Sequence, residues 1–307
     1  MNRALERIVF LMATDDKMVN QCNESAIPFK VVPVLAGGGT RLSAHIGVLQ
    51  AFRDLNIKYQ HIVGVSGGSI VAALSALGKT PAELQKLACE KNFTEFKGKS
   101  FLRLHREGGL STGNSFECWV EKETNSTTFR NVPCNLHIVA TDVRTQAPVV
   151  FNRDTTPDLK VARAIRFSMG IPLIFTYKLY ERKLLVDGSI LAEDALRWDW
   201  SQDGTPAIFL RMQANSEVST PIEERFFTLP NYLRMLVRTF ITSISREYVR
   251  DAYWAKTLII KTDEITPLEF NLSISQKDRL YQMGYEQAMK YLPLKLSGLT
   301  ASPVVSN

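Results

Sequence analysis

Residues 61–74, HIVGVSGGSIVAAL, change character at their centre. His61–Val65 is apolar and largely β-branched, the texture of a short buried strand. From Ser69 to Leu77 the residues are small and apolar all round, which a helix sustains only when it is buried. Between the two halves stands Gly64-Val65-Ser66-Gly67-Gly68, a G-x-S-x-G. Its glycines let the chain reverse sharply, so the serine takes a strained conformation that presents its hydroxyl. The first N–H groups of the following helix can then face a developing oxyanion. A tight turn with a capping serine is the plain alternative, and the strand–turn–helix context favours the nucleophile.

The same texture occurs upstream. FKVVPVLAGGG, residues 29–39, reads as a strand running into a glycine cluster, and Leu42, Ile46, Leu49, Phe52 and Leu55 recur at helical spacing beyond it. Gly37, Gly38 and Gly39, followed by Thr40-Arg41, lack a Cβ and let backbone amides converge on an anion. A dinucleotide fingerprint needs a small residue where Leu42 stands, and an acidic residue after the next strand. A Walker loop needs Gly-Lys-Ser/Thr, which is absent. The oxyanion of acyl transfer is the anion that survives.

Strand and helix signals alternate through the rest of the chain. Thr80-Pro81-Ala82-Glu83 is a capped helix start. Helices are predicted over 113–123, 158–168, 231–254 and 275–292, and strands over 135–142, 147–152, 183–186, 207–210 and 257–261. This alternation argues an α/β fold, a mostly parallel central sheet with helices on both faces. We expect an N-terminal extension over 1–30, a single domain over 31–292 and a C-terminal tail over 293–307.

A nucleophilic serine needs a base. In α/β-hydrolase order the acid and then the histidine follow the serine. The histidines are His45, His61, His105 and His137, and no Asp lies between Ser66 and His137, so that triad is poorly supported. Asp187, in Val186-Asp187-Gly188-Ser189 at the end of an apolar stretch, is the remaining candidate. Asp-Gly alone is more often a turn. A carboxylate aimed at the hydroxyl could still take its proton directly.

Composition narrows the class. Of 307 residues 45% are hydrophobic and 22% charged, ordinary globular usage. The apolar runs fall short of the ~18 residues a membrane span requires. The first fifteen residues lack a signal-like apolar core and cleavage site, so the expected location is cytoplasmic, with export by a route needing no cleaved signal as the alternative. Four scattered cysteines form neither a disulfide framework nor CxxC pairs, so no zinc site is expected. Lys plus Arg number 37 against 31 Asp plus Glu, which favours anionic partners.

Together, AGGGTRLSAHIGVLQAF, VGVSGGSIVAAL, IVATDVRTQAPVVF, ARAIRFSMGIPLIF and the Asp-Gly pair resemble the blocks of the patatin-like phospholipase family, over roughly residues 31–292. The style is closer to its bacterial members than to the plant storage proteins. The resemblance implies a three-layer α/β/α sandwich and a lipid acyl hydrolase of phospholipase A or lysophospholipase type. It implies Ser66 as nucleophile, Asp187 as base, and amides of Gly37, Gly38, Gly39 and Gly67 as the oxyanion hole. Arg41 matches the basic residue ending the glycine loop, either bracing that loop or attracting a lipid phosphate. Leu42 and Ser189 depart from the family's usual small residues without replacing a reacting atom. No cofactor or metal is implied.

The expected partners are a phospholipid or lysophospholipid substrate and, peripherally, an anionic membrane surface. Some bacterial relatives require an activator, and no residue here identifies one. Lys91–Arg106 interleaves Lys91, Lys97, Lys99, Arg103 and Arg106 with Phe93, Phe96, Phe101 and Leu102. That reads either as an interfacial segment or as a solvated basic face whose aromatics enter the core. Arg234, Arg238, Arg246 and Arg250 fall at helical spacing beside apolar residues, which favours a core helix with a basic outer face; no nucleic-acid partner is expected. Two other readings are a small-ester esterase or thioesterase with the same dyad, and a catalytically silent lipid- or ligand-binding module.

Overall fold

Val32–Ala36 (β1) occupies the middle of the sheet, because its side chains are apolar on both faces and both its neighbours are parallel strands. The computed structural model describes residues 29–98, 100–191, 198–214 and 254–300, with single positions at 232 and 235. His61–Val65 (β2) pairs with β1 on one side. Gly109–Ser111 (β3) lies outside the main sheet. Asn135–Asp142 (β4) pairs parallel with β2 and antiparallel with Ala147–Phe151 (β5). Leu173–Phe175 (β6) pairs with β3, as a small parallel sheet. Lys178–Tyr180 (β7) and Lys183–Val186 (β8) form an antiparallel hairpin whose second strand joins β4. Ala207–Gln213 (β9) lies on the other side of β1, followed by Thr257–Lys261 (β10).

The resulting order is β10-β9-β1-β2-β4-β8-β7, mostly parallel with an antiparallel edge. The chain leaves β1 toward β2 on one side, and β9 arrives on the other. In doubly wound sheets such a reversal marks the switch point, where ligands are held at the carboxyl ends of the strands. Gly37 and Ser66 follow immediately on those two strand ends.

Among the described residues the α-helices with defined bounds are Leu42–Asp54 (α1), Gly67–Ala76 (α2), Pro81–Glu90 (α3), Phe101–Glu107 (α4), Asn114–Glu123 (α5), Val161–Ser168 (α6) and Ile274–Thr300 (α7). Leu35, Ile62, Ile138, Leu210 and Ile260 point to the sheet face that shares one core with α1, α2, α3 and α6. Val32, Val34, Val63, Val65, Val139 and Phe209 point to the other, where Trp200 packs. The expected helix over 231–254 lies outside the described residues, its arginines included, except for positions 232, 235 and 254, and so does the extension before Phe29.

Thr80 caps α3 as its sequence predicts, accepting the Glu83 N–H while Glu83 accepts the Thr80 N–H. Helix α6 begins at Val161 rather than Asp158, because Pro157 and Leu159 give their carbonyls to Arg130 and Phe129. Helix α7 continues past the expected stop at Leu292, through Pro293; Leu296 is buried in the core, and that packing outweighs the missing proline N–H. The short elements α4, β3, β6 and β7 carry no readable period and have no counterpart among the expected elements. In the basic segment, Phe93 and Phe96 are buried against Trp119, and Lys91 pairs with Glu95 at 2.6 Å. These aromatics are core residues, so the interfacial reading fails for them.

Candidate active site

Ser66 ends β2 and starts α2 with φ 52° and ψ −129°, a strained region for any residue with a Cβ. The surrounding structure holds that conformation at both ends. Its N–H donates to Ser168 Oγ at 2.8 Å, and the Ser168 hydroxyl donates to the Val139 carbonyl at 2.6 Å. Its carbonyl accepts the Ser69 hydroxyl at 2.6 Å and the Ser69 N–H at 2.9 Å. Ser168 is buried and reaches across from α6; it lies in the ARAIRFSMGIPLIF block, but nothing in the sequence gives it this partner. Ser168→Ala orphans the Ser66 N–H, so we expect about 1–3 kcal/mol of lost stability. About a tenfold loss of esterase rate should accompany it as the turn loosens. Chemical denaturation and initial rates measure the two effects.

The Ser66 hydroxyl donates to Asp187 Oδ2 at 2.7 Å, and Met169 Sδ stands 3.7 Å from the same hydroxyl oxygen. Asp187 follows β8, where its own N–H donates to the Gly170 carbonyl at 3.0 Å. The second carboxyl oxygen accepts the Ser189 N–H at 2.8 Å. Burial raises the Asp187 carboxyl from its ordinary 3.8 to about 6, opposed by the hydrogen bonds from Ser66 and Ser189. A carboxylate tuned there is ionised at neutral pH yet basic enough to take the serine proton.

The glycine loop lies beside this pair. Gly37, Gly38 and Gly39 have φ of 71°, 102° and 57°, the left-handed side that favours glycine. Gly37 differs from expectation: its N–H is committed to the Val65 carbonyl at 3.1 Å, and its carbonyl accepts the Gly68 N–H at 2.9 Å. It therefore anchors the loop instead of donating to an oxyanion. Among the described residues the N–H groups of Gly38, Gly39 and Gly67 have no acceptor, which leaves three candidate donors.

Arg41 is 1% exposed and touches no carboxylate among the described residues. Its Nε donates to the Gly38 carbonyl at 3.1 Å and Nη1 to Thr262 Oγ1 at 2.9 Å, with Met212 and Ile265 carbonyls at 3.5 Å. Burial lowers its guanidinium to about 10. Of the two roles open from sequence, the geometry selects loop bracing; a side chain so enclosed cannot greet a headgroup. Thr40 completes the brace, its N–H on the Pro267 carbonyl and its hydroxyl on that of Glu269, each at 3.0 Å. This 262–269 segment carries no motif.

The histidines are elsewhere. His61 and His137 pair at 3.2 Å where β2 begins, at the opposite end of that strand from Ser66. His45 hydrogen-bonds the Gly37 carbonyl, and His105 is exposed on α4. Among the described residues the titratable partner of the Ser66 hydroxyl is the Asp187 carboxyl, and the amides of Gly38, Gly39 and Gly67 are free. Among the described residues no group of three His, Cys, Asp or Glu could hold a metal ion.

The chain is 27% identical to an uncharacterized protein of Acanthamoeba polyphaga mimivirus, over 84% of this chain and 92% of that one. It is 28% identical to a probable lipid hydrolase of Invertebrate iridescent virus 6, over 61% of this chain and 68% of that one. Its fold matches the crystal structure of VipD from Legionella pneumophila with a TM-score of 0.59 at 15% identity, covering 89% of this chain and 68% of that one. The model of the patatin-like phospholipase family matches residues 34–196, more than half of the chain, taking in the glycine loop, Ser66 and Asp187. On that match the chain belongs to the patatin-like phospholipase family, a family of lipid hydrolases.

Proposed function

We propose that this protein hydrolyses carboxylic esters of membrane phospholipids or lysophospholipids through an acyl-Ser66 intermediate. The observation that carries the reading is the 2.7 Å contact between the strained Ser66 hydroxyl and the buried Asp187 carboxylate, at the switch point of the sheet. Asp187 takes the hydroxyl proton as Oγ attacks the ester carbonyl carbon. The amides of Gly38, Gly39 and Gly67 receive the tetrahedral oxyanion, each such donor contributing about 3 kcal/mol in comparable hydrolases. As the carbon–oxygen bond to the leaving alcohol breaks, Asp187 returns the proton to that oxygen. Water then loses a proton to Asp187 and attacks the acyl carbon; as the bond to Oγ breaks, Asp187 gives that proton to Oγ, releasing a fatty acid and restoring Ser66.

The substrate is met peripherally, at an anionic membrane surface on the cytoplasmic side. No helix among the described residues is long and apolar enough to cross a membrane. On α4, Leu102 is 63% exposed beside exposed His105 and Arg106, a small apolar contact with a basic flank that suits such a surface.

The test is incubation with vesicles of mixed phosphatidylcholine and phosphatidylglycerol, with mass spectrometry of the products. Release of fatty acid and lysophospholipid by wild type, absent from Ser66→Ala, is the expected result. Equal behaviour of the two proteins on vesicles, lysophospholipid micelles and short-chain esters would overturn the reading.

A further inference from the structure

Helix α1 carries a buried imidazole against the glycine loop that the dyad does not use. His45 Nε2 lies 3.2 Å from the Gly37 carbonyl oxygen, and the ring is fully buried. The ring backs directly onto the loop: a Cβ on Gly38 would stand 3.1 Å from the same nitrogen. A carbonyl oxygen only accepts, so Nε2 carries the proton and Nδ1 is bare. That Nδ1 is buried and has no partner among the described residues. Burial, with Arg41 nearby, lowers the imidazole to about 4, so the ring is neutral at neutral pH.

A side chain present only to fill space would avoid that orphaned nitrogen; leucine or methionine packs without it. What the imidazole supplies that they cannot is the Nε2–H. The Gly37 carbonyl thus takes two donors, this ring from α1 and the Gly68 N–H from α2. In a trans peptide the N–H points opposite to the carbonyl. Fixing the Gly37 oxygen toward α1 and α2 therefore fixes the Gly38 N–H in the opposite direction, away from both helices, where it stays free.

We propose that His45 is a positioning residue of the oxyanion hole, its Nε2–H holding the Gly37–Gly38 peptide so that the Gly38 N–H stays aimed at the reacting carbonyl oxygen. The role rests on the acyl-serine reading above and adds to it a group that touches neither substrate nor Ser66. It parallels the hold of Arg41 on the next peptide, through the Gly38 carbonyl. The loop's two donor peptides are then each gripped from behind by a side chain of the same chain segment.

The test uses an alkyl fluorophosphonate, whose phosphoryl oxygen occupies an oxyanion hole and whose reaction needs no knowledge of the natural lipid. The limiting rate of Ser66 labelling and the half-saturating probe concentration are measured for wild type, His45→Gln and His45→Met, with melting temperatures. Gln places an N–H close to where Nε2 stands; Met matches its length without a donor. We expect Gln to label within about threefold of wild type. Met should fall about 10- to 100-fold in limiting rate, with half-saturation little changed and a melting temperature like that of Gln. Should Met fail to fold, His45→Asn, polar but too short to reach Gly37, takes its place with the same expected loss. Equal labelling by the Gln and donor-less variants overturns the positioning role and leaves the acyl-serine reading standing. Absence of Ser66 labelling in wild type overturns that reading, and this role with it.

Discussion

Asp187→Asn is expected to lower ester hydrolysis about four orders of magnitude at pH 8 while making the fold more stable. On the proposed mechanism the rate loss follows from removing the base for the Ser66 proton; among the described residues no histidine is bonded to Ser66 to replace it. The gain in stability follows from burial. In the folded protein the carboxyl titrates near 6, against 3.8 for an ordinary aspartate. Between those values the native state holds a proton that the unfolded chain has released, so stability falls as pH rises through the window. Above about pH 6 the whole cost applies, roughly 3 kcal/mol for a shift of this size. The amide of the Asp187→Asn variant does not titrate and escapes that cost. The melting temperatures of wild type and Asp187→Asn should therefore nearly coincide near pH 4, separate up to pH 6, and stay several degrees apart above it. Wild-type activity should rise with pH on a limb centred near 6, because the base works ionised. Ser66→Ala should be equally inactive, but it removes a hydrogen bond that favours the carboxylate, which moves the Asp187 titration upward. An Asp187→Asn protein that melts below wild type at pH 8, or turns over at a comparable rate, defeats the account.

The parts of this site legible in the sequence are the ones the chain writes locally. Val65-Ser66-Gly67 announces its turn because strand, reversal and helix are consecutive, and Gly37–Gly39 does so for the same reason. Asp187 is less legible, since Asp-Gly is a common turn; only the elimination of histidines and the family's blocks single it out. Ser168 and His45 are not legible as functional. Their roles come from bonds to backbone groups of other segments, Ser66 N–H and the Gly37 carbonyl, and no spacing rule encodes a backbone partner. The same holds for Thr262 and Pro267, which brace the loop from more than two hundred residues away. In the fold, β1, β2, β4 and β10 carry unbroken apolar runs and are visible. β3, β6 and β7 have three residues each, too few for a period to show. Phe93 and Phe96 illustrate the remaining gap: aromatics among lysines look alike in a string of residues, whichever way they point.

Gly67→Ala should disable the protein from the other side of the nucleophile. A Cβ at this position would lie 2.2 Å from the Gly39 carbonyl oxygen and 2.9 Å from its nitrogen. Both are backbone atoms of a loop braced by Arg41 and Thr40, so neither can yield as a side chain would. The methyl must push α2 and the glycine loop apart. That separates Gly67 from Gly39, two of the three free donors, by a displacement comparable with a hydrogen bond's tolerance. We expect a fall of about 10²- to 10³-fold in the limiting rate of fluorophosphonate labelling, with Ser66 and Asp187 both in place. The overpacking should also cost about 2–4 kcal/mol of stability. Gly78→Ala, at the far end of α2, separates conformation from contact. Gly78 has φ 93° but nothing within 4 Å of its Cβ position, so only backbone strain is added. A loss of about 1 kcal/mol with labelling unchanged is expected there. If Gly67→Ala labelled as fast as Gly78→Ala, the amides of Gly39 and Gly67 would not be acting together on the oxyanion, and the hole would have to be sought elsewhere around Ser66.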